Sequence, residues 1–186
     1  ILLNTVALIA LLVLAGCSTP IGATKVSPRS AYVNLHQNAL NSRHYSSGSQ
    51  RVLNRYGLAE AFEKAPTTTL EKLQGIACAD DRGDVIYTLS ELSYWNAERQ
   101  SRSVKPGVSK LARNNYFSSS IYAYLFLLGE SKKAPPNPFD VRIRTASDLY
   151  NRGLALGLTV STNAQVELAD GPRQTSPGVV QVSFTQ

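Results

Sequence analysis

The chain has 186 residues, 43% of them hydrophobic and 17% charged, which is enough apolar material for a packed core and too little charge for a disordered polymer. The formal charge is +6 and the pI near 9.4. The basic residues are scattered and accompany no nucleic-acid-binding motif, so the expected partners include no nucleic acid; anionic lipid or acidic polymers suit the charge better.

Residues 1–16 carry no charge, and only Asn4 and Thr5 interrupt their apolar run. A membrane span needs about 20 residues, so this stretch has the length of a signal-peptide core instead. It closes on Leu14-Ala15-Gly16-Cys17, which looks like a bacterial lipobox. Small residues let an extended segment enter a peptidase cleft, and the cysteine sulfur is a good nucleophile for alkylation. In proteins of that type the thiol receives a diacylglycerol with palmitate-like chains, and the chain is cut just before it. The expectation is a lipid-anchored protein of the bacterial cell envelope, with Cys17 as the lipidation residue and membrane lipid as its partner. Ser18 is the residue type that accompanies outer-membrane sorting, with the chain facing the periplasm. No Met occurs and no basic segment precedes Ile1, so the leader reads as one whose n-region is missing.

Residues 17–26 form a short polar tether. Ser27 is a suitable N-cap and Pro28 suits the first turn of a helix over "SPRSAYVNLHQNAL". Tyr32, Leu35, His36 and Ala39 share one face of it, which makes His36 a packing histidine. After the loop "NSRHYSSGS", a helix with Val52, Leu53 and Tyr56 runs to Gly57, and "LAEAFEKA" is a turn or two closing at Pro66. Pro66 opens "PTTTLEKLQGIACA", with Leu70, Leu73, Ile76 and Ala77 inward and Cys78 a small buried hydrophobe near its end. Asp84 is positioned to cap "DVIYTLSELSYWNAERQ", where Val85, Leu89 and Leu92 form the stripe. In "KLARNNYFSSSIYAYLFLLG", Phe117, Ile121, Tyr124, Leu125 and Leu128 fall on one face, with Tyr122 and Phe126 opposite. That two-sided pattern predicts a central helix. "FDVRIRTASDLYNRGLALGL" carries the stripe Phe139, Ile143, Ala146, Tyr150 and Leu154. "AQVELAD" and "GVVQVSF" alternate like two strands around the turn-rich "GPRQTSPG".

The fold class is therefore mainly α: an irregular array of about six helices in tetratricopeptide-like hairpins, followed by a short β-strand pair. No clean 34-residue repeat is present. The expected organisation is a signal peptide over 1–16, a lipidated tether over 17–26, a helical domain over 27–158 and a β-strand segment over 159–186 that begins a following domain.

Chemistry-bearing motifs are sparse. "SSGSQ" and "GVSKL" lack the second glycine of a nucleophile elbow. His36 and His44 have no ligand spacing, and Asp80, Asp81 and Asp84 fit turn and cap chemistry rather than a calcium loop. No catalytic, cofactor-binding or metal-ligating residue is assigned. Arg99, Arg102, Lys105, Lys110 and Arg113 occur with no acidic residue up to Gly129; they read as a solvated loop, with contact to anionic headgroups as the functional alternative. Trp95, Tyr87 and Tyr94 read as core.

"FDVRIRTASDLYNRGLA", with "PPNPFD" before it, "IYAYLFLLG" upstream and "RVLNRYGLAEAFEKAP" nearer the start, resembles the N-terminal helical region of bacterial lipoproteins that carry a downstream α/β-hydrolase domain. The resemblance runs from about Ser27 to Phe184. It implies esterase- or lipase-like activity, that of a serine hydrolase, in the whole protein, with the triad beyond Gln186 and no catalytic role on any residue here. The hydrolase domain or an envelope protein is then the expected protein partner. The alternative, from another class, is a complete non-catalytic helical scaffold lipoprotein that binds peptides or envelope proteins.

Overall fold

The computed structural model describes residues 25–80, 82–102, 108–129, 137–160, 165–166, 170–175 and 178–183. The chain divides into two compact units, Ile1–Ala31 and Tyr32–Gln186. Among the described residues the structure is mainly helical, with short antiparallel strand pairs at the C-terminal end.

Helix α1, Pro28–His36, starts as its sequence dictates: the Ser27 hydroxyl accepts the Ser30 N–H at 3.1 Å. It ends four residues before the apolar pattern does. Asn38 and Asn41 both donate their side-chain amides to the His36 carbonyl, and the Asn38 side chain accepts the Leu40 N–H. Short amides that bond their own backbone compete with helix propagation. The expected inward face is corrected accordingly. No residue of α1 is buried, Leu35 is 78% exposed, and Tyr32 and His36 face out. Ala39 is buried in the core from the loop, with Leu40 packed half-buried against it.

Helix α2, Ser47–Arg55, is capped by Ser46, whose hydroxyl accepts the Ser49 N–H. Gly57 adopts a positive φ of 63°, which a side chain would resist, and turns the chain. Helices α3, Ala59–Lys64, and α4, Pro66–Asp80, follow, then α5, Gly83–Ser101, α6, Val108–Leu128, and α7, Arg142–Leu158.

Helix α6 is packed from two sides, between α5 and α7, as its two-sided pattern predicts, and α5 is likewise covered from two directions. Val85, Leu89 and Leu92 are fully buried against Val52 and Leu53 of α2, Phe62 of α3 and Leu70 and Leu73 of α4. Its other side carries Tyr87, Tyr94 and Ala97 against Tyr116, Ala123 and Phe126 of α6. Helices α5 and α6 run antiparallel, with Tyr94 against Tyr116 at 5.2 Å between rings and Tyr87 against Phe126 at 5.4 Å. Ser90 donates to the Ser119 carbonyl between them.

Helix α6 therefore turns inward the face rich in small residues, Ser118, Ser119, Ser120 and Ala123, with Tyr122 and Phe126. The stripe expected to be core is the outer one: Tyr124, Leu125 and Leu128 are exposed, Leu128 by 68%, and Phe117 and Ile121 are half-buried; Leu111, outside that stripe, is exposed as well. Close approach explains the choice. At Gly153 of α7 an added Cβ would sit 2.7 Å from the Tyr116 carbonyl oxygen, and at Gly157 it would sit 2.9 Å from Phe117 backbone atoms. The helix pair uses glycine and serine to bring backbones together.

Phe139, expected to lead the α7 stripe, precedes that helix and is 93% exposed. Ala146, Leu149 and Gly153 supply the buried face, with Ile143, Tyr150 and Leu154 half-buried. After α7, strand β1, Thr159–Val160, pairs antiparallel with β2, Gln165–Val166. Strand β3, Gly171–Thr175, pairs with β4, Gly178–Val182, in the register Gly171 opposite Val182 through Thr175 opposite Gly178. The segment "GPRQT", expected as turn, is thus strand. Strand β3 lies against α6.

Candidate functional site

Cys17 and the lipobox lie outside the described residues, as do Asp81 and Lys105 of the segments singled out above. Cys78 is a free thiol and exposed, not buried, because it lies on the outer face near the end of α4. His36 is exposed, stacks on the Tyr32 ring at 4.0 Å and donates through Nδ1 to the Tyr32 carbonyl. It is therefore not a core histidine. His44 is exposed in its loop. Among the described residues no group of His, Cys, Asp or Glu is placed to hold a metal ion.

The basic loop, read as solvated with headgroup contact as the alternative, is partly engaged within the fold. Arg99 lies over the Trp95 ring at 4.9 Å, and Arg102 pairs with Glu98 at 3.2 Å. Trp95 is half-buried between Tyr45 and Phe62 and donates its indole N–H to the Arg43 carbonyl. Tyr87 and Tyr94 are buried, as their pattern predicts.

The most unusual polar group in the core is Glu91, with no exposed surface. Its Oε1 accepts the backbone N–H groups of Ala39 and Ser46, and its Oε2 accepts the hydroxyls of Ser46 and Ser49. Burial pushes the carboxyl upward in pKa, while the four donors pull it back part of the way. One side chain of α5 thereby ties down the 38–46 loop and the start of α2. Periodicity shows Glu91 inside the helix pattern but says nothing of donors some 45 residues away.

A groove of about 980 Å³ opens between the 32–41 segment, α2, the first turns of α5 and α7. Tyr87 and Thr88 lie deep in it, and Tyr32, Leu35 and Val141 give it an apolar margin. Helix α2 contributes Arg51 and Arg55, and α7 contributes Arg142, Arg144 and Arg152. The acidic residues among its described lining are Asp84 and Asp148. Asp84 is held at 2.6 Å by Arg55 and at 3.2 Å by Arg82. Its partial burial works to raise the carboxyl pKa, but hydrogen bonds from these two arginines outweigh that and leave it lowered. Asp140 binds Arg142 through both carboxylate oxygens, so its own pKa is lowered by that pairing. Arg142 also lies over Tyr87 and Phe126, 5.7 and 5.3 Å from the ring centres. Arg152 reaches the Tyr94 hydroxyl. Arg51 and Arg144 are exposed and have no acidic partner among the described residues.

No described helix is long and apolar enough to cross a membrane. No known family, curated protein or solved structure matches this chain.

Proposed function

We propose that this chain is the N-terminal module of a membrane-anchored lipoprotein, acylated on Cys17, whose helices form a platform for a following α/β-hydrolase domain. The observation that carries the reading is the segment ending Leu14-Ala15-Gly16-Cys17: sixteen uncharged residues, a small-residue pair and then the thiol. Lipid chemistry gives the anchor its strength. One acyl chain binds a membrane only marginally, whereas several make attachment effectively stable.

The outward stripe of α6 supports the platform role. Leu111, Tyr124, Leu125 and Leu128 present apolar surface that no described residue buries, and large exposed apolar side chains on one helix face mark contact surfaces. Strand β3 already lies against this helix, so a domain continuing from the strands would begin beside it. Ser18 directs the anchored protein to the outer membrane in this reading. Any catalytic chemistry belongs to the hydrolase domain, and none is assigned to a residue of this chain.

Expression of the chain with its natural leader in a Gram-negative host, with a radiolabelled fatty acid, tests the anchor. The wild type should incorporate label and migrate as a cleaved form, and Cys17→Ser should remain unlabelled and uncleaved. Equal labelling of both forms would remove Cys17 from the mechanism.

A further inference from the structure

We infer that the arginine-lined groove between α2 and α7 is a binding site for a phosphate-bearing anion. The inference does not rest on the lipoprotein reading, since every residue it uses lies between Tyr32 and Arg152.

The first argument is the kind of cation. The groove takes five of the chain's twelve arginines and, among its described lining, none of its seven lysines. A guanidinium offers a flat fork of donors that matches two oxygens of a phosphate, which an ammonium cannot do. Arg55 and Arg142 also serve ion pairs within the fold, so the preference bears on a ligand through Arg51 and Arg144, which serve none among the described residues.

The second argument is charge balance inside the groove. Five arginines face two aspartates. Asp84 is already occupied by Arg55 and Arg82, and Asp140, beside the groove, is occupied by Arg142. These pairs hold Arg55 and Arg142 in fixed positions. That leaves Arg51 on one wall and Arg144 on the other exposed and, among the described residues, without an acid at salt-bridge distance. With the exposed Asp148 one turn beyond Arg144 counted in, the groove still carries five guanidinium groups against two carboxylates, a net positive field.

The third argument is size and lining. A volume of about 980 Å³ exceeds what a bare inorganic ion fills. The margin of Tyr32, Leu35 and Val141, with exposed Phe139 near Val141 in sequence, suits a ligand whose phosphate carries an organic group. A lipid headgroup and a free phosphate ester share that chemistry.

The test uses the full chain held in non-ionic detergent micelles and titrated calorimetrically with pyrophosphate, with short-chain phosphatidylglycerol against phosphatidylcholine, and with triglutamate. Saturable binding of pyrophosphate alone identifies a free phosphate ligand, and binding of phosphatidylglycerol over phosphatidylcholine identifies a lipid headgroup. Either result supports the site if Arg51→Gln and Arg144→Gln together weaken it by about tenfold or more while Lys72→Gln on the outer face of α4 does not. Both groove arginines are exposed and have no acidic partner among the described residues, so the variant should melt with the wild type. If it melts early, Arg144→Gln alone is read instead. Absence of saturable binding by both phosphate probes, equal affinity in the variants, or triglutamate binding as tightly as pyrophosphate would overturn the proposal.

Discussion

Glu91 shows how a single buried carboxylate can organise sequence that no periodicity connects. Its four donors come from Ala39, Ser46 and Ser49, and removing the acceptor leaves two backbone N–H groups stranded in the core. An unsatisfied buried donor costs about 1–3 kcal/mol. Glu91→Leu should therefore lose several kcal/mol in chemical denaturation, and Glu91→Gln, which keeps one acceptor oxygen, about 1–3 kcal/mol. Glu71→Gln, on the exposed side of α4, should change stability by less than about 0.5 kcal/mol. Phe139 gives the opposite lesson. Its place at the head of an apolar stripe predicts a core residue, yet it is 93% exposed, so Phe139→Ala should also stay within about 0.5 kcal/mol. A loss of the 3–5 kcal/mol typical of a buried Phe would show that the ring is covered in solution.

At the scale of the helices, the account turns on how closely α6 and α7 approach. Gly153→Ala puts a methyl 2.7 Å from a backbone oxygen that cannot move aside without shifting α6, and overpacking of this kind costs about 1–3 kcal/mol. Gly75 is exposed within α4 with open space around it, so Gly75→Ala should stabilise by about 0.5–1 kcal/mol through helix propensity. Thermal melts of the two variants should move in opposite directions. Asp140 makes a third prediction. Arg142 lowers its pKa, so the pairing contributes fully above the ordinary carboxylate range and is lost as pH falls through the lowered value. Asp140→Asn should destabilise near neutral pH and flatten the acid limb of the stability profile, read by denaturation between about pH 2 and 7. Much at this scale was legible in the chain: the Ser27 cap, Pro28 and Pro66 at helix starts, and the Val85, Leu89, Leu92 stripe. The inward face of α6 was not, because serines and an alanine read as polar or neutral, and only tertiary geometry reveals that they allow backbones to touch. The end of α1 was missed for a related reason, since side-chain amides of Asn38 and Asn41 took over bonds that an apolar pattern assigns to helix.

At the scale of the molecule, the described residues present the outward stripe of α6 and the arginine-lined groove as surfaces the core does not use. The groove was invisible along the sequence because Arg51 and Arg144 lie 93 positions apart and meet only through α5. The basic run from Arg99 to Arg113 drew attention instead, and the fold spends part of it on Trp95 and Glu98. The proposed lipid anchor, by contrast, rests on sequence alone, on the apolar leader and Leu14-Ala15-Gly16-Cys17. The proposed membrane location depends on it. Mass spectrometry of the mature protein extracted from membranes measures it directly. The account predicts an N-terminal peptide beginning at Cys17 with a thioether-linked diacylglycerol. A mature protein with an unmodified Cys17, or one that still carries residues before it, would contradict the account.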